Sequence, residues 1–163
     1  MSYLLTTPNS RVKIATTQAI MTLFLNVFFL IAINVLVIII SSEMAFKGHL
    51  LIGKFIGLNF VLLGVLTVVS ALVFLISTLV GDYGKAVGLS SALVGFLFIM
   101  NMIMKLSDDL SFFRYTIFLS LVDTGRIMTF SSYTLLSGSI TLITGILIYV
   151  LSVIIFNKKS LTI

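Results

Sequence analysis

The sequence has 163 residues, of which 60% are apolar and only 9% are charged, whereas soluble domains carry about 25% charged residues. This composition excludes an ordinary water-soluble fold. The net charge of +5 comes from basic residues that flank apolar runs, which indicates membrane topology rather than a nucleic-acid-binding surface. Without cysteine and with a single histidine, the chain has no residues for thiolate chemistry or a histidine-rich metal site.

Four stretches of the sequence contain no charged residue: Ile14 to Ser42, Phe55 to Gly81, Ala86 to Met104, and Ile127 to Asn157. A membrane-spanning helix needs about 20 apolar residues. Each stretch therefore predicts one transmembrane helix, at about 14–42, 55–81, 86–104 and 133–157. The first apolar run is too long for the core of a cleavable signal peptide, so we interpret it as a span.

Residues 105–126 lie between the third and fourth predicted spans. Their apolar core, Tyr115 to Val122, has eight residues and is too short to cross a bilayer. The apolar residues Phe112, Tyr115, Leu119 and Val122 recur at helical spacing. The segment predicts a short helix that lies at the interface or re-enters the membrane. The predicted fold is thus an all-α integral membrane protein, a single domain over residues 1–163, with about four transmembrane helices plus this short helical segment.

The topology prediction rests on the position of basic residues. If the four spans alternate, each side carries five Lys or Arg residues, so their number does not decide the orientation. Arg11 and Lys13 precede the first span directly, and Lys158 and Lys159 directly follow the last. Because positive residues at span ends favour the cytoplasm, both termini, including the tail 158–163, are predicted to be cytoplasmic.

Small residues recur at seven-residue intervals in three of the predicted spans. Glycines at such positions let helix backbones approach closely in lipid, and the seven-residue period favours left-handed packing. Gly84 and Gly88 also form a GxxxG pattern. The predicted packing residues are Gly57, Gly64, Ala71 and Thr78 in the second span, Gly88 and Gly95 in the third, and Gly138, Gly145 and Ser152 in the fourth.

Three polar residues of the first span, Gln18, Thr22 and Asn26, are spaced at i, i+4 and i+8 and lie on roughly one side of a helix. They are interpreted either as the lining of a translocation pathway or as hydrogen-bonding groups between helices, worth about 0.6 kcal/mol each. The spacing is compatible with both interpretations.

The spans contain no charged residue near their middle, although proton relays and ion sites usually need one there. No phosphate-binding loop, zinc-protease motif or catalytic triad is recognisable. The sequence therefore predicts no catalytic residue, no metal site and no cofactor.

The N-terminal string Tyr3-Leu-Leu-Thr-Thr-Pro-Asn-Ser-Arg11 resembles the "LLxxPxxR" stretch of permeases of the type 2 ABC exporter family. A loop with Lys85-Ala86, the segment Ser111 to Tyr115 and the ending Phe156 to Leu161 are also similar to that family. The resemblance covers the whole chain and corresponds to the third to sixth of the six spans usual in these permeases.

The resemblance implies that residues 1–13 form a cytoplasmic segment that couples to a separate ATP-hydrolysing subunit, through Tyr3, Leu4, Leu5, Pro8 and Arg11. It implies that residues 105–126 form the outer re-entrant segment. The implied partners are an ABC ATPase subunit, a second copy of the permease or a related permease chain, and membrane lipid, without nucleic acid. The implied location is the cell membrane. The alternative is a small non-transporting membrane protein that assembles or regulates a larger complex.

Overall fold

The computed structural model describes residues 11–43, 52–106 and 132–158, and these residues form four α-helices. They are α1 (Arg11–Glu43), α2 (Ile52–Leu79), α3 (Tyr83–Leu106) and α4 (Ser132–Lys158). Each is long and apolar enough to cross a membrane, and no strand occurs in these ranges. The predicted all-α membrane fold with four spanning helices is confirmed.

The turn between α2 and α3 sets the ends of both helices. The carboxylate of Asp82 accepts the backbone N–H of Lys85 at 3.1 Å, and its carbonyl oxygen accepts that of Ala86 at 3.0 Å. Asp82 is thus an N-terminal cap of α3. Helix α2 ends at Leu79 and α3 begins at Tyr83, whereas the charge-free stretches predicted spans that end at 81 and begin at 86. The absence of charge shows only which residues lipid tolerates, and the Asp82 cap fixes where α3 begins.

Helices α2 and α4 form the most extensive contact, α1 packs against both of them, and α3 contacts α2. The middle of α2 supplies much of the buried apolar surface, with Val61, Val65, Val68 and Ala71. On α1 the buried apolar side chains are Ala15 and Ala19. The described part of the chain is therefore built on the α2–α4 pair.

The paired residues show that α2 and α4 run parallel. Gly64 lies against Thr141, and Thr67 lies against Gly145 further along both helices. The order of contacts along α4 follows the order along α2. When four spans alternate in direction, the second and the fourth cross the membrane in the same direction, which agrees with this arrangement.

Helix α1 runs antiparallel to α2. Asn34 near the end of α1 contacts Asn59 near the start of α2, whereas Asn26 contacts Ser70. Helix α3 runs back along α2 because only a short turn joins them. The starts of α1 and α3 and the ends of α2 and α4 consequently lie at one end of the bundle, which we call the Arg11 end.

Candidate functional site

The contact between α2 and α4 depends on glycines that admit the neighbouring helix. A Cβ added at Gly64 would lie 3.0 Å from Thr141 Cβ and 3.1 Å from the carbonyl oxygen of Gly138. Gly138 in turn faces the ring of Phe60. Such distances are too short for a larger side chain, so the two backbones approach closely here.

The same contact continues further along both helices. A Cβ at Gly145 would lie 2.8 Å from Thr67 Cγ2 and 3.1 Å from the backbone nitrogen of Val68. The structure also places the other small residues that the seven-residue spacing singled out in α2 and α4 in buried positions; they are Gly57, Ala71, Thr78 and Ser152.

The glycines of α3 have different surroundings. A Cβ added at Gly88 or Gly95 would meet nothing within 4 Å, and one at Gly84 would meet only the Asp82 carboxylate, at 3.4 Å. These residues lie on exposed parts of α3. Within the described residues, only the glycines of α2 and α4 are enclosed by another helix.

Three helices meet at one hydroxyl group, that of Ser70. Asn26 of α1 donates a hydrogen bond from Nδ2 to Ser70 Oγ at 2.7 Å, and Tyr149 of α4 donates from its hydroxyl at 3.0 Å. Ser70 donates its own hydrogen to the Thr67 carbonyl at 3.1 Å. A hydroxyl has one donor and two acceptor sites, so this oxygen is saturated. We call Asn26, Ser70 and Tyr149 the polar node.

Apolar side chains pack around Tyr149 of the polar node. Tyr149 is only 4% exposed and forms a buried cluster with Ala19 and Ala71, so all three helices contribute to it. The Phe74 ring packs against the Tyr149 ring with their centroids 5.5 Å apart. Hydrogen bonds within a dry environment of this kind are stronger than in water.

The polar node lies near the middle of the candidate spans. Asn26 is the central residue of the span Val12–Ile40, and Ser70 and Tyr149 lie three residues beyond the centres of their own spans. At 1.5 Å per residue, all three are within about 5 Å of the span centres. The node is therefore a neutral, hydrogen-bonded polar centre at mid-membrane depth.

A second polar contact joins α1 and α2 alone. Asn34 donates from Nδ2 to Asn59 Oδ1 and to the Leu30 carbonyl, both at 2.7 Å, and Asn59 donates to the Phe55 carbonyl at 2.9 Å. Asn34 follows Asn26 by eight residues, or about 12 Å along the helix. We call Asn34 and Asn59 the amide pair.

The three residues of the predicted stripe on α1 have three different environments. Gln18 is exposed, Thr22 donates to the Gln18 carbonyl of its own helix at 2.9 Å, and Asn26 belongs to the polar node. The spacing did not single out Ser70 or Tyr149, because a serine and a tyrosine within apolar runs carry no spacing signal of their own.

An open groove of about 560 Å³ lies between the second half of α2 and the first half of α3. Its walls combine valines with hydroxyl groups, and Tyr83 stands at its Arg11 end with 84% of its surface exposed. The lining residues are Val73, Ser77, Tyr83, Ala86, Val87, Ser90, Ser91 and Val94.

The predicted coupling residues Tyr3, Leu4, Leu5 and Pro8 lie outside the described residues, and α1 begins at the fifth, Arg11. Of the predicted segment 105–126, only Lys105 and Leu106 are described, as the end of α3. In the described ranges, no group of three or more His, Cys, Asp or Glu side chains could hold a metal ion.

No protein-family model, no curated protein and no solved structure matches this chain.

Proposed function

We propose that the chain is a permease subunit of an ATP-driven ABC exporter, which forms the translocation pathway while a separate subunit hydrolyses ATP. The observation that carries the proposal is the arrangement of helix ends. The string that resembles the coupling stretch adjoins the start of α1, and the basic tail adjoins the end of α4. Both of these helix ends lie at the Arg11 end of the bundle.

The charges at this end support a cytoplasmic orientation. Four basic residues belong to the Arg11 end: Arg11 and Lys13 at the start of α1, Lys85 at the start of α3, and Lys158 at the end of α4. Asp82 is the acidic residue of the turn between α2 and α3. An excess of basic residues beside short loops favours the cytoplasmic side. A coupling segment on that side can reach a cytoplasmic ATPase subunit.

The interior of the bundle supports transport of a substrate that requires no fixed charge in the pathway. The polar groups at mid-membrane depth are neutral, namely those of Asn26, Ser70 and Tyr149. The amide pair adds further neutral groups along the contact of α1 with α2. In this proposal a second copy, or a related permease chain, completes the pathway beside these helices.

The proposal is tested by purifying the tagged chain from its native membranes in mild detergent and identifying co-purifying proteins by mass spectrometry. A stoichiometric ATPase is expected. Replacement of Leu4, Leu5 and Arg11 by alanine is expected to reduce its recovery at least tenfold. The matched control replaces Asn9 and Ser10 of the same segment by alanine and is expected to retain the ATPase. A folded chain that recovers no ATPase contradicts the proposal.

One observation favours the alternative, an assembly or regulatory subunit. Of the stripe predicted to line a pathway, Asn26 bonds to a neighbouring helix, as expected for a group that holds helices together, and Thr22 bonds within its own helix. An assembly subunit is expected to co-purify with a stable membrane partner whose ATP hydrolysis does not respond to transport substrates. Substrate-dependent ATP hydrolysis in the purified complex distinguishes the two functions.

A further inference from the structure

Helix α1 is attached to the bundle in a different way from α2 and α4. The α2–α4 contact is a close approach of backbones at Gly64, Gly138 and Gly145. By contrast, the fully buried apolar side chains among the described positions of α1 are the small residues Ala15 and Ala19, with Leu23 partly buried against the cluster of Ala19, Ala71 and Tyr149. Among the described residues, the side-chain hydrogen bonds that join it to α2 include Asn26–Ser70 and Asn34–Asn59.

These links can open with little loss of hydrogen bonding. Asn34 also donates to the Leu30 carbonyl, Asn59 to the Phe55 carbonyl, and Ser70 to the Thr67 carbonyl. Each acceptor belongs to the donor's own helix, so these bonds persist when α1 moves away. Because an unpaired polar group in lipid is costly, such substitute bonds lower the free energy of the separated state.

Asn26 differs from the other groups because its side chain makes its single hydrogen bond to another helix. After separation it would need the carbonyl of Thr22, four residues earlier, which is the geometry that Asn34 and Asn59 already show. The Asn26–Ser70 bond is therefore the main polar restraint on α1, and it lies at mid-membrane depth.

We propose that α1 is a mobile gating helix, which separates from a rigid α2–α4 unit. In the closed state, the hydrogen bonds Asn26–Ser70 and Asn34–Asn59 hold the two together. When these hydrogen bonds break, Ser70, Tyr149 and the amide pair become exposed to the space between α1 and α2. The inference rests on the proposed function in that this space would be part of the substrate pathway. The mobility itself is a property of the single chain.

The test measures two distances between spin labels in the full chain reconstituted in lipid nanodiscs. The chain has no native cysteine, so cysteines can be introduced without background. One pair, Val12→Cys with Gly81→Cys, reports α1 against the end of α2. The other, Gly81→Cys with Asn157→Cys, reports α2 against α4. Gly81 is suited to both because a Cβ there meets nothing within 4 Å.

For the first pair we expect two distance populations that differ by about 5 Å, the size of a one-turn helix shift. Asn26→Leu should increase the longer population about threefold, the effect of an average interhelical hydrogen bond in a membrane. The second pair should keep one unchanged distance. The matched control, Thr144→Val, removes a hydroxyl that donates to the Ile140 carbonyl of its own helix, and should change neither distance.

A single Val12–Gly81 distance that Asn26→Leu leaves unaltered overturns the proposal, as does a shift of equal size in both pairs. If an ATPase complex is obtained, a disulfide between Ala19→Cys and Ala71→Cys, which belong to one buried cluster, should reduce substrate-stimulated ATP hydrolysis at least tenfold until it is reduced. If no ATPase co-purifies, the proposed function fails, whereas the nanodisc distances still decide whether α1 moves.

Discussion

Gly64 of α2 lies directly against Thr141 of α4, with 3.0 Å between the position of an added Cβ and Thr141 Cβ. Thr141 is completely buried and directs its hydroxyl to the carbonyls of Ser137 and Gly138 on its own helix, each at 2.9 Å. The Thr141 hydroxyl oxygen, which is the atom nearest to an added Cβ at Gly64, is thus already paired within its own helix. This is the arrangement by which helices associate in lipid, where apolar burial contributes little.

Gly64→Val is expected to weaken the α2–α4 pair. The larger side chain would overlap Thr141 and the Gly138 carbonyl, and overpacking of this kind typically destabilises a protein by about 1–3 kcal/mol. Reversible unfolding of the purified chain in mixed micelles, with increasing sodium dodecyl sulfate and circular dichroism as readout, measures the loss. The control is Gly88→Val, since a Cβ at Gly88 meets nothing within 4 Å. Equal losses in the two variants would contradict the assignment of Gly64 to the helix contact.

Much of the fold was predictable because the membrane imposes strong constraints on sequence. Lipid requires helices of a minimum length, and the charge-free stretches located all four of them. The seven-residue spacing selected positions such as Gly64, Gly138 and Gly145, which the structure places between α2 and α4. The same spacing selected Gly88 and Gly95, whose surroundings are open. The spacing of small residues shows where a neighbouring helix could approach closely, but it does not show whether a neighbouring helix lies there.

The polar node was not predictable from spacing. Asn26 was singled out as part of a stripe, but its acceptor Ser70 and the second donor Tyr149 come from other helices. Which helices become neighbours depends on the packing of the whole bundle, a property that local periodicity does not contain. Asn34, eight residues after Asn26, also contacts α2, although the predicted stripe of Gln18, Thr22 and Asn26 did not include it.

Ser70→Ala is expected to destabilise the bundle by about 1–2 kcal/mol, because it removes the common acceptor of two interhelical hydrogen bonds. The same mixed-micelle unfolding measures the change, with Thr144→Val as the control. Asn26→Leu in the Ser70→Ala background should add little further loss, since the bond is already absent. Full additivity of the two losses would show that Asn26 does not depend on Ser70.

The helix directions predict that Gly81 and Asn157 lie on the same side of the membrane and His49 on the other. Gly81 is in the turn after α2, Asn157 is near the end of α4, and the residue number of His49 falls between α1 and α2. Single cysteines at the three positions are tested with a membrane-impermeant maleimide in vesicles of known orientation. Labelling of Gly81→Cys and Asn157→Cys from opposite sides would rule out the parallel arrangement of α2 and α4.

Thr134→Val is expected to leave stability unchanged or raise it by up to about 1 kcal/mol. Thr134 is completely buried, and its hydroxyl oxygen has no hydrogen-bond partner among the residues that the structure describes. A buried unpaired hydroxyl is unfavourable, and valine has nearly the same shape without it. The comparison is Ser70→Ala, which removes an oxygen that accepts hydrogen bonds from two other helices and should lower stability by about 1–2 kcal/mol. A loss at position 134 as large as that at position 70 would mean that the Thr134 hydroxyl binds a group from outside the described helices. Unfolding measurements on both variants in the same micelles decide between these outcomes.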